Sequence, residues 1–109
     1  MAIDVHIIEA GKQWPKDGSY TSFGFGNEHE EIVNLAYKYV PTGSQIAKMR
    51  DYYDDVIYEG ENLSGLISEL HQVIQALQET DRLRVVLEEY QKLCIRAAHE
   101  NKAILLFAD

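Results

Sequence analysis

The run LSGLISELHQVIQALQ, residues 63–78, decides how this 109-residue chain folds. Leu63, Leu66, Ile67, Leu70, Val73, Ile74 and Leu77 succeed one another at intervals of three, one, three, three, one and three. That spacing keeps all seven on one arc of an α-helix, whereas a strand would divide them between its two faces. Residues 81–100 repeat the intervals with Leu83, Val86, Leu87, Tyr90, Leu93, Cys94 and Ala97. Thr80 is the expected cap of this second helix. Only two or three residues separate the two patterns, so the helices are expected to pack antiparallel as a hairpin.

Outward from the hairpin the periodicity changes. AILLFA, residues 103–108, is a continuous apolar run, as expected of a strand covered on both faces. At the other end IDVHII alternates and is rich in β-branched residues, which predicts a strand over residues 2–9. GKQWPKDGSY, with Pro15 and Asp17-Gly18, reads as loop, and SYTSFGF as a short edge strand. Asn27 is a candidate cap for a helix with Glu28, Glu30 and Glu31 in its first turn. That helix should bury Ile32, Leu35, Ala36 and Tyr39 and stop at Pro41 and Gly43. Ser44 should cap a shorter helix through QIAKMRDYY, followed by a strand at VIYE and a turn at Gly60. The expected fold is a small single α+β domain over residues 1–109. Its N- and C-terminal strands share one sheet, packed by the hairpin of helices 63–78 and 81–100 and by one or two earlier helices.

Charge is distributed unevenly. The net charge is −8, and six of those eight net negative charges fall within residues 1–63. Such a field disfavours nucleic acid and anionic lipid and speeds encounter with basic partners. No run approaches a membrane-spanning length, and MAIDVHIIEA lacks the pattern of a signal peptide. A single cysteine, Cys94, has no intramolecular partner, which fits a reducing cytoplasm.

Catalytic and metal chemistry find little purchase. Cys94 lies on an apolar helical stripe, where a thiol acts as a small hydrophobe. His6, His29, His71 and His99 are scattered, and no H-x-x-x-H or C-x-x-C spacing occurs. His29 among Glu28, Glu30 and Glu31 suggests a metal cluster, but adjacent helical residues point in different directions. The glycines of FGFGNE lack the Lys-Ser/Thr ending of a phosphate loop and are followed by glutamates that repel phosphate. No catalytic residue, metal ligand set or cofactor is therefore expected.

The stretch DYYDDVIYEGE, residues 51–61, concentrates five carboxylates and three tyrosines without one base. It lacks the alternating oxygens and the sixth-position glycine of a calcium loop. Two readings stay open, a solvated acidic turn and a protein-binding surface. Tyrosine is enriched at interfaces because it offers rigid contact area with a polar tip, and surrounding carboxylates would attract Lys and Arg. The outward positions of the 63–78 helix are Ser64, Ser68, His71, Gln72, Gln75 and Gln78, with Glu69 as the sole charge. The last helix instead offers the i,i+4 pairs Arg84–Glu88 and Glu88–Lys92. Candidate partner-binding residues are Asp51, Tyr53, Asp54, Asp55, Tyr58, Glu59, Glu61, Asn62, Ser68 and Gln72.

The string YEGENLSGLISEL, residues 58–70, resembles the barstar family of intracellular ribonuclease inhibitors around its Tyr-Gly-Glu-Asn-Leu loop and following helix. AAHENKAILLFAD is similar to that family's closing helix and strand. The resemblance implies a steric and electrostatic plug for a basic nuclease, with Tyr58, Gly60, Glu61 and Asn62 as the positions carried over. Two helix positions that are aspartate in the family's binding surface are Ser64 and Ser68 here, and the acids precede the helix instead. More broadly, a small acidic chain with one cysteine is similar to bacterial immunity proteins that neutralise toxins. The leading expectation is a cytoplasmic inhibitor of a basic toxin; the alternatives are a self-associating module, forming a homodimer through its hairpin, and a metal-dependent enzyme built on His29.

Overall fold

A computed structural model describes residues 3–11, 23–25, 28–39, 45–50 and 56–108. In chain order these form β1 (Ile3–Glu9), β2 (Phe23–Phe25), α1 (Glu28–Tyr39), a 3-10 turn (Ile46–Arg50), β3 (Val56–Tyr58), α2 (Glu61–Ala76), α3 (Arg82–His99) and β4 (Lys102–Ala108). The fold is α+β. Its four strands make one sheet in the order β2-β1-β4-β3, and every neighbouring pair is antiparallel. The two long terminal strands lie side by side in its centre, from Ile3 opposite Ala108 to Glu9 opposite Lys102.

Alternation along the strands sends side chains to two sides of the sheet. Val5, Ile7, Tyr58, Ile104 and Leu106 join the main core with α1, α2 and α3. Ile8, Ala103 and Leu105 form a second buried cluster on the opposite side, with Ile57 packed against it. Both faces of β4 are thus buried, which is why its sequence is apolar without alternation.

The hairpin follows from its stripes. Leu63, Leu66, Leu70, Val73 and Ile74 of α2 and Leu87, Tyr90, Cys94 and Ala97 of α3 are buried, while Ile67, Leu77, Val86 and Leu93 flank them half-buried. Burial of this kind supplies most of a helix's stability in a folded chain. The cap of α3 is Asp81 rather than Thr80, its side chain accepting the Leu83 N–H at 2.9 Å. An aspartate one residue later provides the same oxygen and adds the negative charge that a helix N-terminus favours. The end of α2 is closed from its partner helix, since the Arg84 guanidinium donates to the Leu77 carbonyl at 2.8 Å. Arg84 also pairs with Glu88 at 2.9 Å as expected. Lys92 pairs with Glu89 at 3.6 Å and not with Glu88, whose carboxylate accepts from Arg84.

Two further expectations need correction. In α1, Ile32, Val33 and Ala36 are buried and Leu35 is half-buried, but Tyr39 is 37 % exposed, with the Lys38 ammonium 5.2 Å from its ring centroid. Periodicity sets the direction of a side chain, not whether another element lies opposite the last residue of a helix. Ile46–Arg50 is a 3-10 turn where the start of an α-helix was expected, and the rest of that expected helix, residues 51–53, lies outside the described residues. Asn27, Pro41, Gly43, Ser44 and the loop of residues 12–20 lie outside the described residues.

Candidate functional site

The described sequence-predicted binding residues lie along α2 and at the β3–α2 junction that leads into it. Glu69 belongs to this assembly, but not as the surface charge its position suggested. Its half-buried carboxylate accepts the Gln45 N–H at 2.9 Å through one oxygen and the Ile46 N–H at 2.9 Å through the other. It therefore caps the 3-10 turn from 23 residues away. The Tyr58 hydroxyl donates to the carbonyl of the same Gln45 at 2.6 Å. A longer contact, 3.5 Å, joins the Gln45 side-chain amide to Asn62 Oδ1. Gly65 keeps this junction close, because a Cβ there would stand 3.3 Å from Gln45 Cγ.

Tyr58 is consequently a correction to the list of contact residues. It is fully buried, and burial, followed by the nearby Cys94 thiol and Glu69, raises its phenol far above the ordinary tyrosine value. Its ring is a core anchor for the chain leaving the acid-rich segment. Tyr90 is likewise buried, with its phenol raised first by desolvation. Cys94 is buried and desolvation pushes its thiol up to about 12, which leaves no thiolate near neutral pH.

The remaining described candidates are all exposed: Glu59, Glu61, Asn62, Ser68 and Gln72. Glu59 accepts the Gly11 N–H at 3.0 Å, which ties the end of β1 to the β3–α2 junction. Asp51, Tyr53, Asp54 and Asp55 lie outside the described residues, between the 3-10 turn and β3. Both of those flanking elements pack against α2.

With Glu69 turned inward, no exposed residue of α2 after Glu61 carries a formal charge; the exposed set is Asn62, Ser64, Ser68, His71, Gln72, Gln75 and Ala76. The neighbouring α3 is an internal comparison. Its exposed residues include Arg82, Glu89, Lys92 and Arg96, and the helix carries the pairs Arg84–Glu88, Lys92–Glu89 and Arg96–Glu100. The exposed face of α3 carries these charges and ion pairs beside Val85 and Ile95, whereas the exposed face of α2 after Glu61 carries no charge.

Gly60 opens α2 with φ 58° and ψ −128°, a conformation that glycine adopts without strain, and no side chain caps the helix there. Beside it an open cleft of about 640 Å³ is lined by Glu59, Gly60, Glu61, Ser64, Asn101 and Lys102 among others. Asn101 reaches the cleft in a left-handed turn, φ 58°, between α3 and β4. The Lys102 ammonium is 3.5 Å from Glu100, whose carboxyl is held below the usual range by its hydrogen bond from Arg96 and then by Lys102. Asn101 and Lys102 are some forty residues from Glu61 in the chain, and no local spacing announces their approach.

Among the described residues no three His, Cys, Asp or Glu side chains converge as metal ligands, and no helix is long and apolar enough to cross a membrane. No protein-family model, curated protein or solved structure matches the chain.

Proposed function

We propose that this protein is a cytoplasmic inhibitor of the immunity type, which binds and neutralises a basic toxin of the nuclease class and has no catalysis of its own. The observation that supports this reading is the uncharged, exposed face of α2 in a chain of net charge −8. A face built of Ser, Gln, Asn and His can be desolvated against a partner without stranding unpaired charges. The acids of residues 51–61 adjoin it in sequence and would steer a cationic partner toward it. Asp51, Tyr53, Asp54, Asp55, Glu59 and Glu61 form the charged side of the proposed surface, and Asn62, Ser68 and Gln72 its neutral side. Association should slow markedly with ionic strength, because the attraction is screened within a Debye length of about 8 Å at physiological salt. The test is the association rate against salt for the wild-type chain and for the double variant Asp54→Lys, Asp55→Lys. Normal, salt-insensitive binding by that variant would place the surface elsewhere.

A further inference from the structure

We infer that the edge of β3 opposite β4, which no described strand covers, receives an extended, basic segment of the partner as an added strand. This inference rests on the proposed inhibitor reading and names its mode of contact. β3 ends the strand order, and β4 is its one strand neighbour among the described residues. An edge strand presents backbone N–H and C=O groups to any chain that can pair with them, and proteins usually blunt such edges with Lys, Pro or a bulge. Val56-Ile57-Tyr58 carries neither Lys nor Pro. Its register with Leu106, Leu105 and Ile104 runs without a break, so no bulge turns the strand aside.

The strand is also held rigidly. Tyr58 is locked into the main core and hydrogen-bonded to Gln45, Val56 packs against the same core, and Ile57 packs against the second cluster beyond the sheet. Ordering this edge therefore costs a partner little. Charge selects the occupant. Glu59 and Glu61 follow directly and are exposed, and residues 51–61 contain no base. Among the described cations, Lys102 lines the cleft with Glu59 and Glu61 but is turned to Glu100 at 3.5 Å, and Lys48 stands 5.9 Å from the Tyr58 ring centroid, over a ring that belongs to the helix-side core. An incoming strand with Lys or Arg at alternate positions would hydrogen-bond through its backbone and place its cations beside the two glutamates.

The probe is a hexapeptide of alternating lysine and valine, titrated at low salt into the full ¹⁵N-labelled chain, beside its two versions N-methylated on alternate residues. The expected result is slowed amide exchange at Val56–Tyr58, and an affinity at least about tenfold weaker for one N-methylated version, which cannot form the ladder hydrogen bonds. Equal, salt-sensitive binding of all three peptides would overturn strand addition and leave the basic-partner reading standing. Absence of binding by all three at low salt would overturn both.

Discussion

The hydroxyl of Tyr58 donates to the backbone carbonyl of Gln45 at 2.6 Å, joining the end of β3 to the start of the 3-10 turn across thirteen residues. Gln45 is gripped from its other side, where its N–H reaches Glu69 of α2. The two ends of the interval are thus fastened to the core by one phenol and one carboxylate.

Tyr58→Phe keeps the ring and removes the donor, leaving the Gln45 carbonyl without it. The expected cost is about 1–2 kcal/mol of folding stability. Urea denaturation checks it, with the slope unchanged and the midpoint lowered.

Glu69 should matter more. Its carboxylate accepts two backbone N–H groups, and charge-assisted bonds of this type contribute about 1.5–3 kcal/mol each when removed. Glu69→Ala is expected to destabilise by at least that amount, and Glu69→Gln by less, since one acceptor oxygen survives. Thermal unfolding of the two variants should preserve that order. Equal stabilities would remove the capping role.

Gly60→Ala isolates backbone strain from crowding, because a Cβ at Gly60 would meet nothing within 4 Å. The φ of 58° with ψ −128° is disfavoured for L residues, so the substitution should cost roughly 1–3 kcal/mol. A midpoint unchanged in denaturant would show that the turn relaxes instead.

The buried phenols and thiol predict an alkaline limit. Tyr58, Tyr90 and Cys94 all hold their protons more tightly folded than unfolded. Their contribution is therefore complete below the unfolded values, roughly 8.5 for a thiol and 10 for a phenol, and declines as pH rises above them. For Cys94 the loss runs up to the folded value of about 12. Stability measured between pH 8 and 11 should fall through this window, and a thiol reagent at pH 8 should modify Cys94 only after denaturation.

Much of the architecture was legible because it depends on periodicity. The seven-residue stripes read as the two helices of a hairpin, and the terminal strands share one sheet as expected; that they pair antiparallel, in the order β2-β1-β4-β3, no spacing announced. The site was less legible, for reasons particular to its residues. Tyr58 looked like a contact residue because it sits in an acidic context, but β3 turns it into the core. Glu69 looked like a surface charge because helical spacing cannot show an N–H group arriving from 23 residues upstream. Tyr39 shares an arc with Ile32, yet it ends its helix exposed.

The most direct test of the docking surface is capture by the tagged protein from the cell that makes it, at low and high salt, beside the variant Ser68→Arg, Gln72→Arg. Both positions are exposed on α2, so the variant should fold normally. The account predicts one stoichiometric basic protein, bound at low salt, released at high salt and lost to the variant. Retention of that protein by the variant, or a partner whose binding ignores salt, would contradict it.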